Sequence, residues 1–282
     1  MRAGGGLARR PWLALSAAVL TVILLVPPVG TLARQYVFVE ALQFVLFATA
    51  VPALLVLGAP WRLLGLDQPG RLRQLRHTSR LARLVMPQPG GTGAAHAMLA
   101  LGAFLAVVIG WRLPASVDAL ARVPGLAVAE MAVLVAAGAA LWLELVESPP
   151  MLPRLSRPGR AVFAALPMWG IWVLAYILGF SGSAWYAAYH GAVGGLGTIM
   201  DQQLATGVMW AVPAICFIPV IYAMIVGWLH ESTDPNEELG KITSPEGPAG
   251  QAGQAGPDGG EGQGILPRPP RGWQRPRGKR PH

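Results

Sequence analysis

The sequence is poor in charge and almost free of cysteine. Asp, Glu, Lys and Arg make up 13% of its 282 residues, against roughly a quarter in ordinary soluble proteins. Its one cysteine, Cys216, excludes an intramolecular disulfide and any Cys-x-x-Cys metal or redox motif. The sequence also lacks a Ser/His/Asp arrangement, a phosphate-binding loop and a His pair at i and i+4. These absences indicate that the protein is not an enzyme.

Hydrophobic residues make up 53% of the chain and are gathered in blocks. Each block is about 20 residues long, which is the length a helix needs to cross a bilayer. The blocks lack the alternation of apolar and polar residues that is typical of membrane strands. The predicted fold class is therefore all-α, a polytopic membrane helix bundle with six transmembrane helices. The predicted spans are Trp12–Leu32, Tyr36–Leu57, Ala94–Leu113, Pro124–Leu145, Ala161–Phe180 and Leu204–Leu229.

The distribution of Lys and Arg predicts the orientation. Of the 22 cations, 19 lie before the first span, in alternate loops and in the C-terminal tail, and 3 lie in the other loops. The positive-inside rule places the 19 in the cytoplasm, and with them both termini. The excess of cations, a net charge of +8, is then explained by the orientation of the protein in the membrane. No nucleic-acid partner is expected. Residues 1–231 should form the helix bundle, and residues 232–282, rich in Gly, Pro and charge, a disordered basic cytoplasmic tail.

Some segments have more than one interpretation. The first span also resembles a signal peptide, with Arg9-Arg10 before an apolar stretch. Gly65–Met86 is rich in Arg and Leu, which fits either a helix on the cytoplasmic membrane surface or a basic loop that only sets topology. The end of the tail is basic enough to touch the membrane surface or an acidic partner.

Polar residues inside or at the ends of spans need an explanation, because they are costly in lipid. Since successive helices alternate in direction, one set of such residues falls at the outer ends of spans two, three, four and six. The set could form a polar site open to the outside. Alternatively, Arg112 neutralises Glu40 or Glu130 and the amides bridge helices as packing contacts. The set consists of Glu40, Gln43, Arg112, Glu130, Asp201, Gln202 and Gln203.

Three further residues are candidate metal ligands. Met131 and Met209 are soft ligands suited to copper(I) if they face one another, although core or lipid-facing packing is their more frequent role. His190 lies in the outer loop that is rich in Gly and aromatic residues. Glu144, near the inner end of span four, is expected to reach the cytoplasmic interface.

Several motifs resemble those of the CtaG-like family of cytochrome c oxidase assembly factors, which is associated with caa3-type oxidases. Span six reads Asp201-Gln202-Gln203-Leu204-Ala205 and continues to Met209-Trp210 and Pro213, like the family's signature. The segments Val51–Pro60 and Trp111–Pro114, the latter followed by Glu130, also match family patterns. The matches run in order over roughly Trp12 to Leu229.

The resemblance implies a multi-pass protein of the bacterial cytoplasmic membrane that contacts cytochrome c oxidase subunits and brings copper to their buried site. The sequence departs from the family at the family's histidines. Glu40 and Phe44 replace those of the first polar helix, Arg112 replaces the one in Trp-His-Leu-Pro, and Ala127 and Met131 replace those beside Glu130.

An arginine donates no lone pair to a metal. Our hypothesis is that a Glu40/Arg112/Glu130 ion-pair cluster replaces the metal site and that the protein acts as an assembly scaffold. Copper handling through methionine and carboxylate stays open. A transporter of a small solute or metal ion is the alternative from another class, although no polar stripe continues to the cytoplasmic side.

Overall fold

A computed structural model describes residues 11–62, 93–148, 151–189 and 195–232. Within these residues the regular secondary structure is helical, and an isolated β-bridge joins Ser148 to Met151. A π-helical turn, Leu46–Ala50, joins α3 to α4, and short 3₁₀ turns occur at Pro60–Arg62 and Ala187–Tyr189. The helices are α1 (Pro11–Leu25), α2 (Val29–Leu32), α3 (Val37–Val45), α4 (Val51–Gly58), α5 (Gly93–Arg112), α6 (Pro114–Arg122), α7 (Pro124–Leu145), α8 (Arg157–Gly179) and α9 (Thr198–Ser232).

In the described part of the chain, five helical segments are long and apolar enough to cross a membrane. The first is continuous from α3 through the π turn to α4, and the others lie in α5, α7, α8 and α9. The predicted all-α membrane bundle is confirmed. The first predicted span, Trp12–Leu32, is not one continuous helix. The helix α1 has only 15 residues and ends before Pro27-Pro28, which a helix cannot easily continue through.

Proline sets several of the other helix boundaries. Pro114 and Pro124 stand at the first positions of α6 and α7, where the missing N–H leaves no hydrogen bond unmade. Leu113 precedes the first of these prolines and has an extended backbone, which separates α5 from α6. As a result, the segment between the spans α5 and α7 is itself helical.

The α3–α4 span lies at the centre of the bundle. It packs against α1, α7 and α9, and half of its residues are buried. Glycines allow two of these contacts to be close. A Cβ at Gly58 would overlap the backbone of Ala14 on α1, and one at Gly138 of α7 would overlap Ala48.

Successive spans run in opposite directions, so alternate helix ends gather at each end of the bundle. Gly179, at the end of α8, lies beside Thr206 near the start of α9, while Gly227 near the end of α9 lies beside Arg157. We call the end that holds Arg112 the outer end, following the predicted orientation. The described helices α8 and α9 begin before their predicted starts, so α9 already includes Asp201–Gln203. The Gly65–Met86 segment and the C-terminal tail beyond residue 232 lie outside the described residues.

Candidate functional site

An ion pair between α3 and α5 lies at the centre of the outer end. Both terminal nitrogens of Arg112 donate to Glu40 Oε2, at 2.6 and 2.7 Å. The two side chains are buried, and the guanidinium carbon lies 4.3 Å from the centroid of the Phe44 ring. The cation is therefore held by a carboxylate and an aromatic face together.

Glu130 of α7 is the third member of the buried charged group. It lies close enough to interact electrostatically with both Arg112 and Glu40. Among the described residues, Glu130 Oε1 and Arg112 Nε have no hydrogen-bond partner. The group thus holds two carboxyl groups and one guanidinium, and Arg112 is paired through hydrogen bonds with Glu40.

Asp201 joins α9 to the start of α3. Its Oδ2 accepts a hydrogen bond from the Val37 backbone N–H at 2.8 Å, and its Oδ1 accepts one from Phe38 N–H at 2.9 Å. These are the first two residues of α3, whose own N-cap residue, Tyr36, makes no side-chain cap. A carboxylate at this position satisfies two free N–H groups and faces the positive end of the helix dipole.

The amide side chains divide between packing and exposure. Gln43 donates to the Leu24 carbonyl of α1. Gln202 donates to the carbonyls of Leu178 and Ser183, at 3.0 and 3.3 Å, and accepts from Trp185 N–H at 3.0 Å. Gln203 is exposed. The first two amides therefore bridge helices and loops, as in the packing alternative of the sequence analysis.

An aromatic cap covers the charged group, and no single motif in the sequence pointed to it. Tyr186 donates to the Arg112 carbonyl at 3.3 Å, and Tyr189 donates to the Ala33 carbonyl at 3.0 Å. Asp118 on α6 accepts a hydrogen bond from Ala188 N–H at 2.8 Å. This bond anchors the 3₁₀ turn Ala187–Tyr189, which carries the second of these tyrosines. Burial raises the pKa of both phenols. The abundance of aromatic residues in this loop was the only available signal.

The cap changes the interpretation of the outer end. Arg112 and Tyr186 are each 2% exposed, and Glu40 and Tyr189 are each 7% exposed. The charged group is thus enclosed beneath the cap. A polar site that stands open to the outside, one of the two sequence alternatives, does not describe this arrangement.

The remaining signature residues and candidate metal ligands are spread over different surroundings. Met209 is fully buried in the core, and Met131 is half-buried against it. Pro213 is buried within α9, whereas Trp210 is 41% exposed. His190 lies outside the described residues.

The described side chains do not fit a copper site at the charged group. Glu40, the carboxylate nearest the cation, already accepts both hydrogen bonds from Arg112, whose positive charge would repel a metal cation. Within the described ranges, no group of three or more His, Cys, Asp and Glu side chains is arranged to hold a metal ion.

A second polar cluster lies at the inner end, and it corrects the expectation for Glu144. This side chain is buried by the protein, with 4% exposure. Its Oε1 lies 2.9 Å from His96 Nδ1 and 3.2 Å from an Arg154 terminal nitrogen. Beside it, Arg160 donates to the Leu145 carbonyl and pairs with Glu147 at 3.4 Å. Glu144 therefore pairs with protein side chains instead of standing exposed at the cytoplasmic interface.

Comparison with known proteins matches the chain to a protein family. The family model described as cytochrome c oxidase caa3 assembly factor (Caa3_CtaG) matches residues 2–231, which include all the described helices apart from the last residue of α9. No curated protein and no solved structure matches the chain.

Proposed function

Because the chain belongs to the cytochrome c oxidase caa3 assembly factor family, we propose that it is a non-enzymatic scaffold for the assembly of a cytochrome c oxidase in the bacterial plasma membrane. The five membrane-length helices make it a multi-pass membrane protein. As a scaffold, it would contact oxidase subunits within the bilayer. It would do so without passing copper through its outer polar group.

The Glu40–Arg112 pair is the observation that carries this proposal. It occupies positions where the family resemblance predicts histidines, which are the commonest ligands of copper and zinc. The Arg112 guanidinium donates two hydrogen bonds to one Glu40 oxygen and lies under the tyrosine cap. A buried cation that is paired with a carboxylate in this way favours rigidity of the outer end over metal exchange. Copper delivery through Met131 and Met209 is the competing form of the same family function.

The test begins with the amount of assembled oxidase in membranes of cells that lack the protein. Reintroduction of the wild-type chain should restore the assembled enzyme, and the protein should co-purify with oxidase subunits. A Met131→Leu/Met209→Leu double variant, which removes both thioethers and keeps the buried volume, should restore the oxidase as well as the wild type does. Its control is Met98→Leu/Met200→Leu, which makes the same change at two exposed methionines.

Copper content separates the scaffold from the copper donor. The detergent-purified protein is loaded with copper(I) under reducing conditions and its metal content is measured. The scaffold function predicts no copper above the level of a non-metalloprotein control. Stoichiometric copper that is lost in the Met131/Met209 double variant would instead establish a rebuilt copper site. Unchanged oxidase assembly in cells without the protein would contradict the assembly function itself.

The transporter alternative receives no support from the family match. The polar groups at the two ends belong to separate clusters, one around Arg112 and the other around Glu144. Uptake of solute or metal ions into proteoliposomes should therefore equal that of protein-free vesicles.

A further inference from the structure

Three tryptophans form a continuous patch across α8 and α9. The rings of Trp172 and Trp210 stack with centroids 4.6 Å apart, and Trp169 meets Trp172 edge-on at 5.5 Å. Trp172 Nε1 donates to the Trp210 carbonyl at 3.0 Å. Trp169 is 58% exposed and Trp210 is 41% exposed, so two of the three rings face outward from the bundle.

The patch lies near the middle of the membrane. Trp169 is 12 residues from the start of α8, and Trp210 is 12 residues from the start of α9. Trp169 therefore lies about 18 Å from the start of α8 and about 15 Å from its end, and Trp172, on which the Trp210 ring stacks, lies about 10 Å from that end. The hydrocarbon core of a bilayer is about 30 Å thick. Tryptophans are concentrated at its edges, where the ring N–H reaches water or headgroups.

Two of the three ring N–H groups have no acceptor. The Trp172 donor is satisfied by the Trp210 carbonyl, but the Nε1 atoms of Trp169 and Trp210 make no hydrogen bond within the described residues. Lipid tails offer no acceptor, so a bare donor at this depth carries a desolvation cost. An oxygen atom from another protein at the patch would remove that cost.

The helix that carries Trp210 also has the most surface left uncovered. Only 17% of the apolar stretch of α9 is buried within the protein, against 50% for the central α3–α4 span. Trp210 follows Met209 directly, and Met209 is fully buried. The two residues of the Met-Trp signature therefore have different surroundings, one in the core and one on the outer face.

We propose that Trp169, Trp172 and Trp210 form the docking surface for a transmembrane helix of an oxidase subunit. This inference rests on the proposed assembly function. The partner helix presents acceptor oxygens at mid-membrane depth, from hydroxyl or amide side chains or from carbonyls freed in its backbone, opposite the two free indole donors. A second copy of this chain fits less well, because an isologous contact centred on the patch would set donor against donor.

Site-specific photo-crosslinking tests the surface in cells that contain the oxidase. The photoreactive residue p-benzoylphenylalanine is placed at position 169 or 210 of the full chain, and at position 12 as the control. Trp12 is 57% exposed but lies on α1, away from the patch. Positions 169 and 210 should form adducts with an oxidase subunit identified by mass spectrometry, and position 12 should not.

Removal of the donors tests the chemistry of the contact. Trp169→Phe and Trp210→Phe keep an aromatic ring but remove the N–H. Each should lower the amount of co-purified oxidase about fivefold, the effect expected for the loss of one hydrogen bond. Trp12→Phe should leave it unchanged. Equal abundance of all three variants in the membrane shows that the fold is retained.

Each contrary outcome has a distinct meaning. Adducts with a second copy of the chain would overturn the proposal in favour of a homodimer. Adducts with neither protein, while the wild type still co-purifies with the oxidase, would overturn the docking surface and leave the assembly function standing. If the wild type neither co-purifies with the oxidase nor supports its assembly, both proposals fall.

Discussion

The Asp201 carboxylate accepts a hydrogen bond from the Val37 backbone N–H at 2.8 Å, across 164 residues of sequence. Asp201 lies in the first turn of the last span and caps the beginning of the first membrane-length one. Gln202, its neighbour, binds the Leu178 carbonyl near the end of α8. The Asp-Gln part of the signature therefore ties the outer ends of three helical segments together.

The cap by Asp201 predicts a stability effect. Asp201→Ala removes the acceptors of both Val37 N–H and Phe38 N–H and should lower the free energy of unfolding by roughly 2 kcal/mol. Asp201→Asn should have a smaller effect, because its single oxygen still accepts one of the two bonds. Unfolding in mixed micelles measures the change. Gln203→Ala is the control, and its stability should equal that of the wild type because this side chain is exposed.

The Glu40–Arg112 pair predicts strong coupling in a double-mutant cycle. Arg112→Met leaves Glu40 buried without its cation and should cost about 3–5 kcal/mol. Glu40→Met should cost a similar amount, because it leaves the Arg112 cation buried without its hydrogen-bonded carboxylate. The double variant should be more stable than either single one, because neither member of the pair is left buried without the other.

The same cycle with Glu130→Met identifies the partner of Arg112. Its coupling to Arg112 should be smaller, because Glu40 accepts both of the guanidinium's hydrogen bonds. Equal coupling for the two glutamates would show that the charge is shared among all three residues.

Gly138 predicts a steric effect at the contact between α7 and the central span. A Cβ here would overlap the Ala48 carbonyl and the Pro52 ring. Gly138→Ala should therefore lower the free energy of unfolding by about 1–3 kcal/mol. Gly102→Ala is the matched control on α5, since it meets no atom within 4 Å. Its stability should be unchanged or slightly raised because alanine favours the helix. Equal thermal midpoints for the two variants would contradict the close packing.

The tyrosine cap predicts a loss of stability at alkaline pH. Burial, together with the nearby Glu40 carboxylate, raises the pKa of Tyr189 above its ordinary value of 10.0. Above about pH 10 the unfolded chain therefore releases a proton that the folded chain still holds, and stability falls as the pH rises. Below that pH the contribution is fully present.

Unfolding monitored by tryptophan fluorescence between pH 8 and 11.5 should show this decline. Tyr189→Phe removes the ionisable group and should make the decline shallower. Tyr222→Phe is the control, because Tyr222 is 68% exposed. A decline of equal slope in the Tyr189 variant would place its cause elsewhere in the protein.

Hydropathy determined the class of the fold, because a bilayer demands about 20 apolar residues per helix whatever the partners of that helix are. It also located the polar residues at one end, since the depth of a residue follows from its position along a span. The first span was less predictable: α1 is apolar but stops before Pro27-Pro28, and the length of an apolar run does not reveal where its helix ends.

Only the tertiary structure decided which of these polar groups meet. Depth places Glu40 and Glu130 equally well beside Arg112, but the rotation of each helix about its axis directs the guanidinium's hydrogen bonds to Glu40. The same rotation buries Met209 and exposes Trp210, although they are neighbours in the chain. The cap of Tyr186 and Tyr189 and the burial of Glu144 likewise depend on contacts between distant segments. Hydropathy fixes how deep a residue lies, whereas side-chain packing between helices fixes the direction in which it points.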